Sequence, residues 1–184
     1  MYQSQSGNTA GGHIAGGNIV TNVTNVTQSP LSALYSRLRN QDSLEQYTAK
    51  IADKLQHFCA ISSDGDVRGL AEKLNASNRA DLLMMAKRLK EDAAKMVMRL
   101  QTSPIAQDII TLVLCKIYAD FVMHVTPAVE AGATRQQVDA LVSEKVINTA
   151  MSMLGENDMM LTDADILGFV FFLGGNCHIR WDKC

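Results

Sequence analysis

Apolar positions recur at helical spacing along most of this chain. Leu31, Leu34, Tyr35 and Leu38 fall three or four residues apart, so residues 31–39 predict a short helix. Leu44, Tyr47, Ile51, Leu55 and Phe58 keep the same rhythm and predict a second helix over 43–61. The cluster Ser62-Ser-Asp-Gly-Asp66 breaks it, with Gly65 where positive φ is easiest. A short helix over 67–74 and a capping cluster from Asn75 to Asn78 follow. From Arg79 to Leu100 the pattern is cleanest. Leu82, Ala86, Leu89, Ala93, Met96 and Leu100 alternate steps of four and three, a heptad seam. Met84, Met85, Met96 and Met98 read as adaptable packing side chains.

Ser103-Pro104 opens the next helix, with Ser at the N-cap and Pro at the first helical position, where its missing N–H costs nothing. That helix is expected to run until Pro127 and to be the most buried, because apolar residues occupy almost every side from Ile109 to Val125. Cys115 reads as a small core residue, and His124 sits near the C-terminal end, where the dipole favours an imidazolium. Thr134-Arg-Gln-Gln137 is a capping box that opens a helix reaching Leu154, closed by Gly155. A second box, Thr162-Asp-Ala-Asp165, opens the last helix, 163–173, which is apolar nearly all round. Gly174-Gly175 is expected to terminate it, and the tail from Asn176 onward to be extended or irregular.

Residues 1–29 stand apart as a low-complexity arm before a helical bundle domain at 30–184. The arm is rich in Gly, Asn, Thr, Ser and Val, and residues 1–28 carry no side-chain charge apart from a contribution of His13. Ala10-Gly-Gly-His-Ile14 is followed at once by Ala15-Gly-Gly-Asn-Ile19, and Val20, Val23 and Val26 step with a period of three. Neither period holds one face of a helix or of an ordinary strand. The arm is therefore read as disordered, or as β-prone chain that orders against a partner or its own copies through Ile14, Ile19, Val20, Val23 and Val26. Its glycines lack the GK[ST] and the helix start of a phosphate-binding loop. The fold class expected from these patterns is all-α: a bundle of about six to seven helices with that arm and a short non-helical C-terminal tail.

Composition narrows the function classes. Apolar residues are 47% of the chain and charged residues 20%, too much core and too little charge for disorder throughout. The formal net charge of −2 gives no bulk attraction to nucleic acid or an acidic membrane. Lys87, Arg88, Lys90, Lys95 and Arg99 nonetheless make the outer face of the heptad helix basic. A solvated face with Glu91 and Asp92 is preferred there over a nucleic-acid surface. No basic-then-apolar leader and no uninterrupted apolar run of bilayer length is present, and the four cysteines form no CxxC pair. A cytoplasmic protein with reduced thiols is the resulting expectation.

The chemistry-bearing residues crowd at the C-terminus. Cys177, His178, Ile179, Arg180 and Trp181, the one tryptophan, follow the glycine pair, with Asp182 and Cys184 beyond. Zinc held by Cys177, His178 and Cys184 is disfavoured, because neighbouring residues on an extended chain point to opposite faces. A nucleophilic Cys177 lacks an orienting acid or oxyanion donor in any readable motif. Walker, dinucleotide, GxSxG and HExxH patterns are absent as well, so no catalytic residue, metal or cofactor is assigned and the chain is not expected to be an enzyme. Two readings of the tail remain: an anchor that packs Trp181 onto the bundle, or a binding surface using Trp, Arg and His.

The stretch ILGFVFFLGGNCHIRWD, residues 166–182, resembles the C-terminal signature of helical domains in bacterial ABC-three-component conflict systems, to which Lamassu-type anti-phage systems belong. The Gly/Asn/Thr/Val-rich lead-in at 7–27 also resembles segments placed before assembly domains in bacterial defence systems. The resemblance implies a helical domain, not itself catalytic, that ties an effector such as a nuclease to an ATPase akin to chromosome-maintenance proteins. No effector domain precedes the helices in this sequence, so it implies an adaptor or assembly subunit in a homo- or hetero-oligomer with protein partners. The alternatives are a self-assembling structural protein driven by the arm, and a small Cys/His metal protein.

Overall fold

The computed structural model describes residues 29–40, 48–62, 68–155 and 157–182. The arm with Ile14, Ile19, Val20, Val23 and Val26, the start of the second expected helix, most of the Ser62–Asp66 turn, and Cys184 lie outside the described residues. Among the described residues there are seven helices and no strand. They are α1 (Pro30–Asn40), α2 (Thr48–Cys59), α3 (Leu70–Ala76), α4 (Leu83–Arg99), α5 (Pro104–Glu130), α6 (135–154) and α7 (Asp163–Gly175). Tight turns at Ala80–Leu82 and Leu100–Thr102 flank α4.

The three N-caps read from sequence form as side-chain hydrogen bonds. Ser103 accepts from Ala106 N, Thr134 from Gln137 N and Thr162 from Asp165 N, with reciprocal capping boxes at the last two. The heptad seam of α4 packs on α7, the most extensive helix pairing among the described residues. Ala86 and Ala93 are buried there, and Gly168 lies so close that a Cβ on it would sit 2.9 Å from the Leu89 carbonyl oxygen. Small residues on both helices let the backbones approach. Burial of Ile109, Val113, Leu114, Ile117 and Phe121 makes α5 the axis on which α1, α2, α6 and α7 pack.

Four expectations need correction. Pro127 does not end α5. A π-helical turn at Phe121–Val125, in which Thr126 N–H bonds to the Phe121 carbonyl, re-routes the ladder ahead of the proline, and Thr126–Glu130 continues as helix. A similar π turn, Val142–Ile147, lies inside α6. Within α5 an 18-residue window has a mean hydropathy of 1.6, long and apolar enough to cross a bilayer, although Asp108, Lys116 and Asp120 interrupt the helix's apolar run; half of that window is buried in the bundle. Of the α4 methionines only Met96 packs against the core, whereas Met84 (79% exposed), Met85 (42%) and Met98 (65%) face outward, because they fall off the seam on which Met96 lies. Finally, the last helix does not stop at Leu173: the glycine pair belongs to α7, which ends at Gly175, and the left-handed residue beyond it is Cys177 at φ 67°.

Three helices end the same way. In α3, α5 and α7 a left-handed residue (Asn78, Gly132, Cys177) follows the cap. The next N–H then reaches back to the third-last helical carbonyl: Arg79 to Leu74, Ala133 to Ala128, His178 to Leu173.

Candidate functional site

The helical turn that ends α7 places the tail against α2, α3 and α5. Gly174 and Gly175 are needed for packing. A Cβ on Gly174 would enter the Trp181 ring, and one on Gly175 would enter the Lys90 side chain. Trp181 is 6% exposed and meets Phe121 edge-on at a centroid distance of 5.9 Å and Phe171 at 5.8 Å. Ile179 is buried beside it. The tail therefore alternates, with Ile179 and Trp181 inward and His178 and Arg180 partly exposed.

Each polar side chain of the stretch is engaged with a part of the bundle remote in sequence. Asn176 donates through Nδ2 to the Phe58 carbonyl, and its own carbonyl accepts from Ser62 N. His178 Nε2 faces the carbonyls of Phe58 at 3.2 Å and Ala60 at 3.1 Å, so it carries the proton and caps the C-terminal end of α2. The Cys177 thiol donates to the Arg68 carbonyl at 3.5 Å. Asp182 accepts from Arg68 at 2.7 Å, and Arg180 pairs loosely with Glu130 at 4.0 Å. His57 and His178, unrelated in sequence, pack with their rings tilted by 52° at a centroid distance of 5.0 Å, among Phe58 and Tyr118. Burial, then the His57 charge, push the His178 pKa below its ordinary value against the pull of the α2 carbonyls.

Two lysines complete the arrangement, and neither was singled out from sequence as part of it. Lys73, 1% exposed, donates to the carbonyls of Gly174 at 3.0 Å and Ile179 at 3.3 Å. Its ammonium thus meets the negative end of the α7 dipole. The signal was available: Lys73 shares the inward stripe of α3 with Leu70 and Leu74. Lys90 leaves the basic face assigned to it and lies over Gly175, where burial lowers its pKa. Lys87, Arg88, Lys95 and Arg99 are exposed, with Arg88 near Asp92 and Lys95 on Glu91, the pairings of a solvated helix face.

On the other side of Trp181 an ion-pair network joins the α3–α4 turn to α6. Arg79, 3% exposed, donates through Nε and Nη2 to Asp139 and through Nη1 to the Ser77 carbonyl. Arg135 holds both oxygens of Asp81 at 2.7 Å and also reaches Asp139 and the Asn78 carbonyl. Sequence reasoning used Thr134-Arg-Gln-Gln137 only as a cap and missed its arginine. Among the described residues no group of three or more His, Cys, Asp and Glu side chains is placed to hold a metal ion.

Residues 69–181, from the residue capping α3 to Trp181, match the family model described as C-terminal domain 9 (CTD9) of the ABC-three component (ABC-3C) systems. No curated protein and no solved structure matches the chain.

Proposed function

The chain belongs to the CTD9 family of ABC-three-component systems, and from that membership we propose that it is the non-enzymatic adaptor of a bacterial defence complex. As a component of such a system it works among protein partners. In the proposed role it joins an effector, such as a nuclease, to an ABC-type ATPase in the cytoplasm.

The family match is the observation that carries this reading. The use of the signature residues supports it: the Cys177 thiol, the His178 Nε2 and the Asn176 amide are each committed to backbone groups of the bundle.

The test is co-expression of the tagged chain with candidate ABC ATPase and effector subunits of an ABC-three-component system. Retention of both through purification is expected, with no turnover by the chain alone. A folded chain that retains neither, or one that hydrolyses nucleotide or nucleic acid unaided, overturns the proposal. Trp181→Ala is a poor probe of docking, because the ring is buried and its loss acts through folding. Arg180→Glu, at a side chain 32% exposed, reports on docking itself.

A further inference from the structure

Only half of the apolar 18-residue window of α5 is buried in the bundle. The exposed apolar side chains lie in the C-terminal half of the helix. There Tyr118, Ala119, Val122, Met123 and Pro127 face outward, Met123 at 69% exposure, while Ile117, Phe121 and Val125 stay inside. The π turn at Phe121–Val125 helps to build this face. On a regular helix Glu130 would stand about 120° round the axis from Tyr118. A π turn spreads one turn over more residues and takes up part of that angle, so residues before and after it share one side.

The two ends of the face differ in charge. At the N-terminal end Lys54 of α2 is exposed and stands close enough to Cys115 for its charge to act on the thiol. At the C-terminal end Glu130 is exposed and is met by Arg180 only at 4.0 Å, where a surface pair is weak. Between them, Lys116 and Asp120 neutralise each other at 2.8 Å. A face that is positive at one end and negative at the other is complementary to itself when two copies lie antiparallel. An axis between Val122 and Met123 sets those two residues against each other across the copies, Tyr118 against Pro127, and Ala119 against Thr126. The same axis sets Cys115, with Lys54 beside it, against Glu130. The members of each pair lie equally far from the axis along the chain, and the π turn lies across it.

We propose that this face of α5 is a homodimer interface, across which two copies of the chain pack their α5 helices antiparallel and each Glu130 meets the second copy's Lys54. The apolar side chains at the middle supply the contact, and the charged ends fix its direction. Dimerisation of the chain alone and its retention of an ATPase or effector are separate events, so the two proposals fail separately.

Sedimentation equilibrium of the full chain over a dilution series is the test. A monomer–dimer equilibrium with a Kd on the order of 10 µM is expected, as suits a contact at the low end of specific interface sizes. Met123→Lys sets two like charges across the axis and is expected to weaken the dimer about tenfold or more. The unfolding midpoint measured below the Kd should stay unchanged, because this side chain is exposed. Glu130→Lys and Lys54→Glu are each expected to weaken the dimer about fivefold, and the two changes in one chain to restore it. A chain that stays monomeric at about ten times the expected Kd overturns the proposal. It does so even where Met123→Lys then abolishes capture of another subunit, a result that would give the face to that subunit. A dimer indifferent to Met123→Lys, or a double variant no stronger than the weaker single one, overturns it as well.

Discussion

The two faces of α7 are held in different ways. Along its length α7 meets α4 backbone to backbone, through Gly168, Ala86 and Ala93, with no polar group needed at the contact. At its C-terminal end it is enclosed by large and polar side chains: Trp181 over Gly174, Lys90 over Gly175, and Lys73 on the last carbonyls. A glycine serves both regions, but for opposite reasons. Gly168 admits a neighbouring backbone, whereas Gly174 and Gly175 admit side chains that return from elsewhere. The seam is a repeating solution that tolerates adjustment along its length. The clamp is assembled from single residues, each meeting a different element, and losing one leaves buried groups without partners.

The clamp should therefore be the more fragile region, and Trp181→Ala should break it. Removing a ring packed on Phe121, Phe171 and Gly174 is expected to cost about 3–5 kcal/mol in denaturant unfolding, with α7 and the tail losing amide protection first. Gly168→Ala tests the seam. Its new Cβ meets a backbone oxygen, which yields less readily than a side chain, and overpacking of about 1–3 kcal/mol is expected. If Gly168→Ala proves costlier than Trp181→Ala, the ranking of the two regions is reversed.

The same contrast explains what was legible in the sequence. The seam is a local periodicity, and the caps at Ser103, Thr134 and Thr162 are local three-residue spacings, so both were readable and both formed. The clamp joins residues more than a hundred positions apart, such as His178 with Phe58 and Lys73 with Gly174. Its acceptors are mostly backbone carbonyls, which every residue possesses and which leave no trace in a sequence. Trp181 and Arg180 stood out by rarity and type alone; the partners of Lys73 and Lys90 did not. The continuation of α5 through Pro127 was hidden for a related reason, since a π turn is a property of the ladder and carries no residue signature.

Cys177 sharpens the comparison on a smaller scale. At φ 67° it occupies the position that Gly132 fills after α5. A β-carbon there carries a penalty of about 1 kcal/mol that glycine escapes. Cys177→Gly should accordingly be more stable than Cys177→Ala by about 1 kcal/mol, the reverse of the order inside a helix. The ordinary order, with alanine ahead, would mean that the left-handed turn does not shape the end of α7.

The smallest effect expected is the pH response of the clamp. Burial and His57 hold His178 below its ordinary pKa of 6.5, so the folded chain binds this proton more weakly than the unfolded chain does. Its contribution to stability is full above 6.5 and is lost as the pH falls through the lowered folded value. Acidification also leaves Nε2 protonated as before and adds the second proton at Nδ1, beside His57. The unfolding midpoint is thus expected to hold steady above pH 6.5 and to decline on acidification, before carboxylates begin to titrate. His178→Gln keeps a donor for the α2 carbonyls while removing the titration, and should flatten that part of the profile. An unchanged decline in His178→Gln would place the proton uptake elsewhere and leave His178 as packing alone, which would bring this corner of the clamp closer in character to the seam.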